Sequence, residues 1–315
     1  MQNFSLFTLV QEFGKELFAV LQPKEQSLYN TGINSLADAK NEIYYLLSFV
    51  LQKDKVFLLS HAEYVLSKTE RELFMRSFER RKKGEPLAYI TGQKEFYGSN
   101  FFVDSSTLIP RPDTEILVDE ASAYFTVQKH NQSFYVMDLG TGTACILLSV
   151  LKECRQCFGY GIDINKKAIE LAKRNADRLG LAKRSQFFTA DFTNEAFIAQ
   201  LEEILQGKQL DCIVSNPPYI PEYEYFALDD SVKQFEPKSA LVSGQAQNGE
   251  NGLAHAEKIL QAGEELLKSG ALLLIEHGYN QGKAMQALCS HYHYTSVKTL
   301  MDLGGNERAL YAIKK

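Results

Sequence analysis

The segment with the clearest chemical content is Asn216-Pro-Pro-Tyr219, which follows a short apolar run. A nitrogen conjugated to a carbonyl group or an aromatic ring is a weak nucleophile, because its lone pair is delocalised. Two hydrogen-bond acceptors aimed at its N–H groups would hold it in place and favour its reaction with an electrophile. The Asn216 side-chain oxygen and the Pro217 backbone carbonyl can act as these acceptors, the consecutive prolines restrict the backbone, and the Tyr219 ring can stack on the planar group. The segment therefore predicts catalysis on a planar amide or amine nitrogen.

A glycine-rich turn, Asp138-Leu-Gly-Thr-Gly-Thr-Ala144, lies between a predicted strand and an apolar helical stretch. Glycines in such a turn let the backbone approach a ligand closely, at the rim where open α/β sheets bind cofactors. Asp163 ends the next predicted strand, at the spacing of about 20 residues that lets a carboxylate accept hydrogen bonds from both hydroxyls of a ribose. In the strand after that, Ala190-Asp-Phe192 brings an aromatic ring to the expected position of an adenine.

The glycine-rich turn also distinguishes between two nucleoside cofactors. It lacks the third glycine of the dinucleotide-binding fingerprint. Its opening carboxylate, Asp138, would repel a pyrophosphate but would favour the cationic methionyl end of S-adenosylmethionine. We therefore expect S-adenosylmethionine rather than a nicotinamide dinucleotide, and methyl transfer as the reaction.

The elements that must position these residues alternate between strand and helix after about residue 134, which is typical of a doubly wound α/β sheet. Asn165 is a candidate N-cap for a helix over 165–180, and Gly180 is its stop signal. The predicted strands are 134–139, 158–163, 186–190, 211–215, 270–275, 297–300 and 309–313.

Residues 1–83 are predicted to form a small helical domain. Ser35-Leu-Ala-Asp38 and Ser67-Lys-Thr-Glu70 each resemble a capping box before apolar residues at helical spacing. Residues 84–115 are rich in glycine, proline and aromatic residues, and we expect a β-hairpin linker there. Residues 116–315 then form the α/β domain.

Composition excludes several classes of protein. The 315 residues, 45% of them hydrophobic, are enough for two domains with buried cores. A net charge of −5 argues against a chain that mainly grips nucleic acid, so no direct sequence-specific nucleic-acid binding is expected. The start lacks a signal-peptide pattern and no apolar run is long enough for a bilayer, so we expect a cytoplasmic protein without a membrane partner. The six histidines lack H-E-x-x-H spacing, and we predict no metal.

Several motifs together resemble one known family, the HemK/PrmC release-factor glutamine methyltransferases. Asn216-Pro-Pro-Tyr219 marks methyltransferases of adenine amino groups as well as of glutamine amides, whereas Leu108-Ile-Pro-Arg-Pro-Asp-Thr-Glu115 is far more specific. The resemblance covers nearly the whole chain. The other matching stretches are Pro86-Leu-Ala-Tyr-Ile-Thr-Gly92, Glu95-Phe96, 138–143, Phe235-Glu-Pro237, Ala240-Leu241, Gly252-Leu253 and Gln281-Gly282.

The resemblance implies a Rossmann-like class I methyltransferase fold, with a small all-helical N-terminal domain that recognises the substrate. It implies methyl transfer from S-adenosylmethionine to the side-chain amide nitrogen (N5) of the glutamine in the Gly-Gly-Gln motif of class 1 peptide-chain release factors. Asn216, Pro217 and Tyr219 are the expected catalytic residues, and with Pro218 they are expected to hold the glutamine. The implied methyl-donor site comprises Gly140, Thr141, Gly142, Thr143, Ala144, Asp163, Phe192 and Asn216.

The chain departs from the family pattern at two positions. Ala144 stands where the family usually has glycine, which is tolerable if its φ is negative, and Glu276-His277-Gly278 varies the usual Glu-Ile-Gly.

Three other functions are alternatives to this one. A ribosomal-protein glutamine methyltransferase has the same catalytic motif and differs mainly in its N-terminal domain, and an N6-adenine methyltransferase would require a basic region for its target. A release-factor-binding protein without catalysis is disfavoured by the intact Asn216-Pro-Pro-Tyr219.

Overall fold

The computed structural model describes residues 4–21, 33–128, 132–247 and 249–315. These residues divide into two compact units. The first takes the described part of Met1–Gln93 together with Phe226–Glu236, and the second takes Lys94–Tyr225 and Pro237–Lys315. The boundary expected at residue 83 lies before this division, because Ile90 of the following short helix packs in the core of the first unit.

The first unit is helical, and its caps are those that the sequence predicted. The Ser35 hydroxyl accepts a hydrogen bond from the Asp38 N–H, and Ser67 and Glu70 form a complete capping box. The apolar stripes of the helices meet in one core around the fully buried Phe74 ring. Its helices are α1 (Leu6–Leu21), α2 (Leu36–Leu51), α3 (Lys55–Ser60), α4 (Lys68–Lys82), α5 (Leu87–Thr91) and, from the later segment, α11 (Asp230–Phe235).

The second unit is built on a mixed sheet that, among the described residues, has seven strands. This confirms the predicted α/β class, and each predicted strand is present. The hairpin strands are β1 (Gln93–Phe96) and β2 (Ser99–Phe102), and a two-stranded ladder joins β7 (Ile220–Pro221) to β8 (Val242–Ser243). The strands of the main sheet are β3 (Phe134–Leu139), β4 (Cys157–Asp163), β5 (Ser185–Thr189), β6 (Leu210–Ser215), β9 (Leu267–Glu276), β10 (Tyr294–Met301) and β11 (Glu307–Lys314).

Helices cover both faces of the main sheet. Side chains alternate along β3, so that Phe134 and Val136 join the core on one face while Met137 and Leu139 join the core on the other. The sheet is therefore buried on both sides, as parallel strands require. The helices of this unit are α6 (Glu115–Thr126), α7 (Cys145–Glu153), α8 (Lys166–Arg178), α9 (Phe197–Leu205), α10 (Glu222–Tyr225), α12 (Ala254–Leu266) and α13 (Gly282–Cys289).

The strand order, β10-β11-β9-β6-β3-β4-β5, places β3 between two parallel neighbours. In the register, Asp138 of β3 lies opposite Gly161 of β4 and Val214 of β6. The loops after these three strands therefore leave the same edge of the sheet, at the point where the winding direction reverses. Open α/β sheets bind their ligands at this point.

The Asn165 side chain caps α8 by accepting from the Lys167 N–H, as the sequence predicted, and Gly180 follows the helix with a φ of 70°. Across the described ranges, no helix combines the length and the apolar character needed to cross a membrane.

Candidate active site

A cavity of about 230 Å³ opens at the edge of the sheet where β3, β4, β5 and β6 end. Of the residues expected in the two binding sites, three do not line it: Ala144, Pro217 and Tyr219. Those that line it are Gly140, Thr141, Gly142, Thr143, Asp163, Phe192, Asn216 and Pro218. The fold thus gathers most of the predicted site residues around one cavity.

The turn after β3 has the backbone conformation that its glycines allow. Gly140 and Gly142 have φ values of 77° and 52°, in the left-handed region that L-residues other than glycine rarely adopt. Ala144 also lies in this region, with a φ of 62°. The condition under which alanine would be tolerable here, a negative φ, is therefore not met. The buried Ala144 is instead held in a conformation that is strained for alanine, at the N-terminus of α7.

Asp163 at the end of β4 organises the turn as well as facing the cavity. Its Oδ2 accepts from the Gly142 N–H at 2.9 Å, and its Oδ1 accepts from the Asn165 N–H at 2.8 Å. Each carboxylate oxygen has a second lone pair, so the group can still accept from a ligand. Burial raises the pKa of Asp163, although both backbone hydrogen bonds oppose this rise.

Asp138 lies behind the turn and does not line the cavity. It is fully buried, its Oδ2 accepts from the Thr141 hydroxyl at 2.8 Å, and its Oδ1 has no hydrogen-bond partner among the described residues. Burial raises the pKa of this carboxyl to about 7, and the nearby Asp163 adds to the effect. Asp138 therefore fixes the turn directly and can act on a cavity ligand only through its field.

An aromatic wall forms where β5 ends. The Phe192 ring lies edge to face with His255 at 5.9 Å between centroids, and with Phe197 at 6.5 Å. His255 also lines the cavity, and its Nδ1 hydrogen-bonds to the Ser243 hydroxyl at 2.7 Å. Burial lowers the pKa of His255 and so favours the neutral ring. His255 was not predicted as a site residue, because it belongs to α12, which is remote in the chain from the predicted motifs.

Asn216 extends from β6 into the cavity and is anchored on its other side. The Ser215 hydroxyl donates to the Leu139 carbonyl at 2.5 Å, which ties β6 to the end of β3. The Asn216 Nδ2 donates to the Thr114 hydroxyl at 3.1 Å. The amide nitrogen is thus engaged by the protein, which leaves the amide oxygen available as an acceptor.

Tyr219 is held through its backbone rather than its ring. The Gln281 Nε2 donates to the Tyr219 carbonyl at 3.0 Å, while the Gln281 Oε1 accepts from the Gly278 N–H at 2.7 Å. Burial raises the pKa of the Tyr219 hydroxyl, with Glu276 contributing to the rise, so the phenol stays neutral.

Residues 113–115, where α6 begins, contact the site and two distant parts of the chain. Thr114 contacts Asn216, Asp113 pairs with Arg308 at 3.1 Å, and the Glu115 Oε1 accepts from the Tyr97 N–H at 2.9 Å. The sequence marked this segment as family-specific but gave no role to its members. Glu276 belongs to the Glu276-His277-Gly278 stretch noted in the sequence, but it was given no role at the site, and Arg308 was missed because a single charge carries no local pattern.

The sheet order, the glycine-rich turn and the cavity at the switch point define a Rossmann-like class I methyltransferase fold. Residues 130–312 match the family model described as a methyltransferase domain, and residues 27–92 match the PrmC N-terminal domain. The hMettl16 catalytic domain, solved with the MAT2A 3′UTR hairpin 6, shares the fold at 12% identity with a TM-score of 0.52. That likeness covers 80% of this chain and 84% of that one.

Relatives by sequence narrow the class to one family. The release factor glutamine methyltransferase of Salmonella typhimurium is 36% identical over 290 residues, which is 90% of this chain and 96% of that protein. The protein of the same name from Vibrio cholerae is 37% identical over 292 residues, covering 92% of this chain and 94% of its own length. The chain belongs to the family of release factor glutamine methyltransferases.

Proposed function

We propose that this protein transfers the methyl group of S-adenosylmethionine to the side-chain amide nitrogen, N5, of the glutamine in the Gly-Gly-Gln motif of class 1 peptide-chain release factors. The observation that carries the proposal is the Asn216 amide. Its nitrogen is bound to Thr114 and its oxygen is left for a substrate N–H, at the cavity that the glycine-rich turn also lines. Family membership supplies the kind of substrate, since the relatives are named for it.

The residues at the turn fit S-adenosylmethionine. Glycines with positive φ keep the backbone free of side chains where the ligand lies, and Asp163 retains lone pairs for two ribose hydroxyls. Phe192 offers an apolar surface for adenine. Asp138, buried behind the turn, adds negative potential for a cationic ligand when its carboxyl is ionised, above its raised pKa of about 7. When bound, S-adenosylmethionine supplies an electrophilic methyl group.

On the substrate side, the protein supplies acceptors rather than a strong base. The Asn216 oxygen accepts one N–H group of the glutamine amide from the cavity, and the carbonyl of Pro217, a residue that does not itself line the cavity, is the proposed acceptor of the second. The two acceptors orient the nitrogen toward the methyl group. The N–C bond forms as the S–C bond breaks, and the nitrogen then loses one proton to water. The hydrogen bond from Gln281 to the Tyr219 carbonyl keeps this short segment in place during the reaction.

We propose further that the helical unit recognises the release factor. Its match to the PrmC N-terminal domain supports this role. Helices α2 and α3 pack against each other and expose large apolar side chains, Tyr45 at 62%, Val56 at 72% and Leu59 at 56%. Exposed apolar groups on neighbouring elements favour a protein partner. Replacing the three by serine should raise the KM for a whole release factor while donor binding is unchanged.

The decisive experiment is mass spectrometry of a release factor incubated with this protein and S-adenosylmethionine. We expect one added methyl group, located on the glutamine of the Gly-Gly-Gln peptide. A release factor with glutamate at that position is the matched control, because it offers no N–H groups to the two acceptors. Methylation of the glutamate form, or of another residue only, would overturn the proposal.

A further inference from the structure

Behind Asn216 lies a buried carboxylate that no substrate can reach directly. Glu276, at the end of β9, is 2% exposed, as is Thr114. Thr114 and Asn216 lie close enough to Glu276 to lower the pKa of its carboxyl by hydrogen bonding, while its Oε2 has no hydrogen-bond partner among the described residues. The Asn216 Nδ2 donates in addition to the Thr114 hydroxyl at 3.1 Å. The three side chains therefore form one polar group, drawn from three separate parts of the chain.

The hydrogens in this group fix which way the Asn216 amide faces. An ionised carboxylate can only accept, and a hydroxyl has a single proton to donate. When Thr114 gives its proton to Glu276, its oxygen can only accept from Asn216, and only the nitrogen end of the amide can donate. The opposite rotamer would set the amide oxygen against two acceptors and leave it unpaired in a buried site.

We propose that Thr114 and Glu276 are positioning residues, which lock the Asn216 amide with its oxygen toward the cavity and so select a substrate nitrogen that carries N–H groups. This inference rests on the proposed function. It assigns the family-specific segment before α6 a purpose in the reaction, because that segment brings Thr114 to the site. It also explains why Glu276 stays buried although a carboxylate is costly there.

The environment of Glu276 makes the lock depend on pH. Burial raises the pKa of Glu276 to about 7. Hydrogen bonding by Thr114, the charge of Arg308 and hydrogen bonding by Asn216 each lower the pKa but do not cancel this rise. Asp113 adds to the rise, and Tyr219 and Cys145 are the other titratable groups that interact with it. A protonated Glu276 can donate to Thr114, which frees the amide to turn. Turnover should therefore decline as pH falls through about 7.

Two variants of Thr114 test the lock in single-turnover methylation of a release factor. Thr114→Val should lower the rate about 10- to 100-fold, the usual effect of removing an outer partner of a functional group. Thr114→Ser should restore it, because the hydroxyl returns. Donor affinity, measured by calorimetry, should stay unchanged in both. Thr114 makes no capping bond to α6, so valine there does not uncap the helix.

Glu276→Gln tests the pH profile of the methylation rate, which would not change if Glu276 had only a structural role. Glutamine does not titrate and can donate to Thr114, so the rate should fall and the acidic decline should disappear from the pH profile. Asp211→Asn is the matched control: this buried carboxylate accepts from the Tyr135 N–H at 2.8 Å and pairs with Lys268 at the far end of β6. It should keep both the rate and the acidic decline.

Failure of this inference can be told from failure of the proposed function. If Asn216→Ala is inactive but Thr114→Val turns over at the wild-type rate, or Glu276→Gln keeps the acidic decline, the lock is wrong and the function stands. If Asn216→Ala is fully active, the proposed catalytic role itself fails. Adding Thr114→Val to Asn216→Ala should cost no further rate, because both changes remove the same interaction.

Discussion

The side-chain amide of Gln281 donates a 3.0 Å hydrogen bond to the backbone carbonyl of Tyr219, across 62 positions of the chain. Gly252 lies against this pair. A Cβ at Gly252 would come within 2.8 Å of the Gln281 Nε2 and still closer to the Tyr219 carbonyl oxygen. The position of the Asn-Pro-Pro-Tyr segment therefore depends on the absence of a side chain at residue 252.

Gly252→Ala should displace this segment. Its φ of 80° strains any L-residue, and the clash adds to the strain, so we expect a loss of more than about 1 kcal/mol in unfolding free energy together with reduced turnover. Gly249→Ala is the matched control, since Gly249 has a φ of 88° but nothing within 4 Å of its Cβ position. Urea unfolding and methylation rates decide the matter: equal losses in the two variants would mean that the contact with Tyr219 is unimportant.

Asn216→Ala should act on turnover rather than on donor binding. The amide oxygen is expected to stabilise the transition state, and removing one such preorganised partner costs about 10²–10³ in rate. Calorimetry should show that S-adenosylmethionine still binds. A near-normal single-turnover rate would contradict the assignment and would make the segment a structural turn.

Asn216→Asp is a sharper version of the same test. The variant keeps the shape and an acceptor oxygen but places a negative charge beside a bound sulfonium. If that charge stabilises the bound cation more than the transition state, in which positive charge disperses, donor affinity should hold or rise while turnover falls. Parallel changes in affinity and rate would argue against this electrostatic account.

Asp163→Ala should weaken the binding of S-adenosylmethionine by about 1.5–3 kcal/mol, the range for a lost charged hydrogen bond. The loss has two sources, because Asp163 also accepts from the Gly142 N–H and so shapes the turn. Asp163→Asn keeps one acceptor oxygen, so its affinity for S-adenosylmethionine should lie between those of Asp163→Ala and the wild type. Asp177→Ala, an exposed carboxylate on α8, is the control, and calorimetry on all three provides the comparison. Unchanged affinity in Asp163→Ala would remove Asp163 from the donor site.

The buried Asp138 predicts a pH dependence of stability. Its pKa is raised by burial to about 7, whereas an unfolded aspartate titrates near about 3.9. Between these values the folded state holds a proton that the unfolded state has lost, so this group lowers stability as pH rises from about 4 to 7. The asparagine of Asp138→Asn cannot titrate. The unfolding free energy of this variant, relative to the wild type, should therefore rise by up to about 1.4 kcal/mol per pH unit between about pH 4 and 7, and the difference should stay constant above about pH 7.

Urea unfolding at a series of pH values checks this prediction, with Asp302→Asn as a comparison of opposite sign. The pKa of Asp302 is lowered by the Asn306 N–H and then by the Arg308 guanidinium. Its ionised form therefore stabilises the fold at neutral pH, and that contribution is lost as pH falls through the folded-state pKa. Asp302→Asn should be less stable than the wild type at neutral pH and approach it in acid. The same trend in both variants would show that burial does not govern Asp138.

The sequence by itself determined the order of the elements and the chemistry at their ends. The strand predicted over 134–139 has the same bounds in the structure, as β3. Ser67 and Glu70 form the predicted capping box, and Asn165 caps α8 as predicted. Local patterns are reliable here because hydrophobic periodicity and capping depend on residues within a few positions of one another. The resemblance to a known family, and not these local patterns, predicted that Asn216 and the turn after β3 belong to one site.

Only the tertiary structure decided how the groups at that edge are oriented. The Asn216 Nδ2 donates to the Thr114 hydroxyl, 102 positions earlier in the chain, and the proposed orientation of the amide oxygen toward the cavity depends on this long-range contact. Ala144 has a positive φ although alanine alone disfavours it, and it is fully buried before the first turns of α7, whose residues 145–151 are all buried. Such features depend on contacts between segments far apart in the chain, and no local propensity encodes the distance or direction of those contacts.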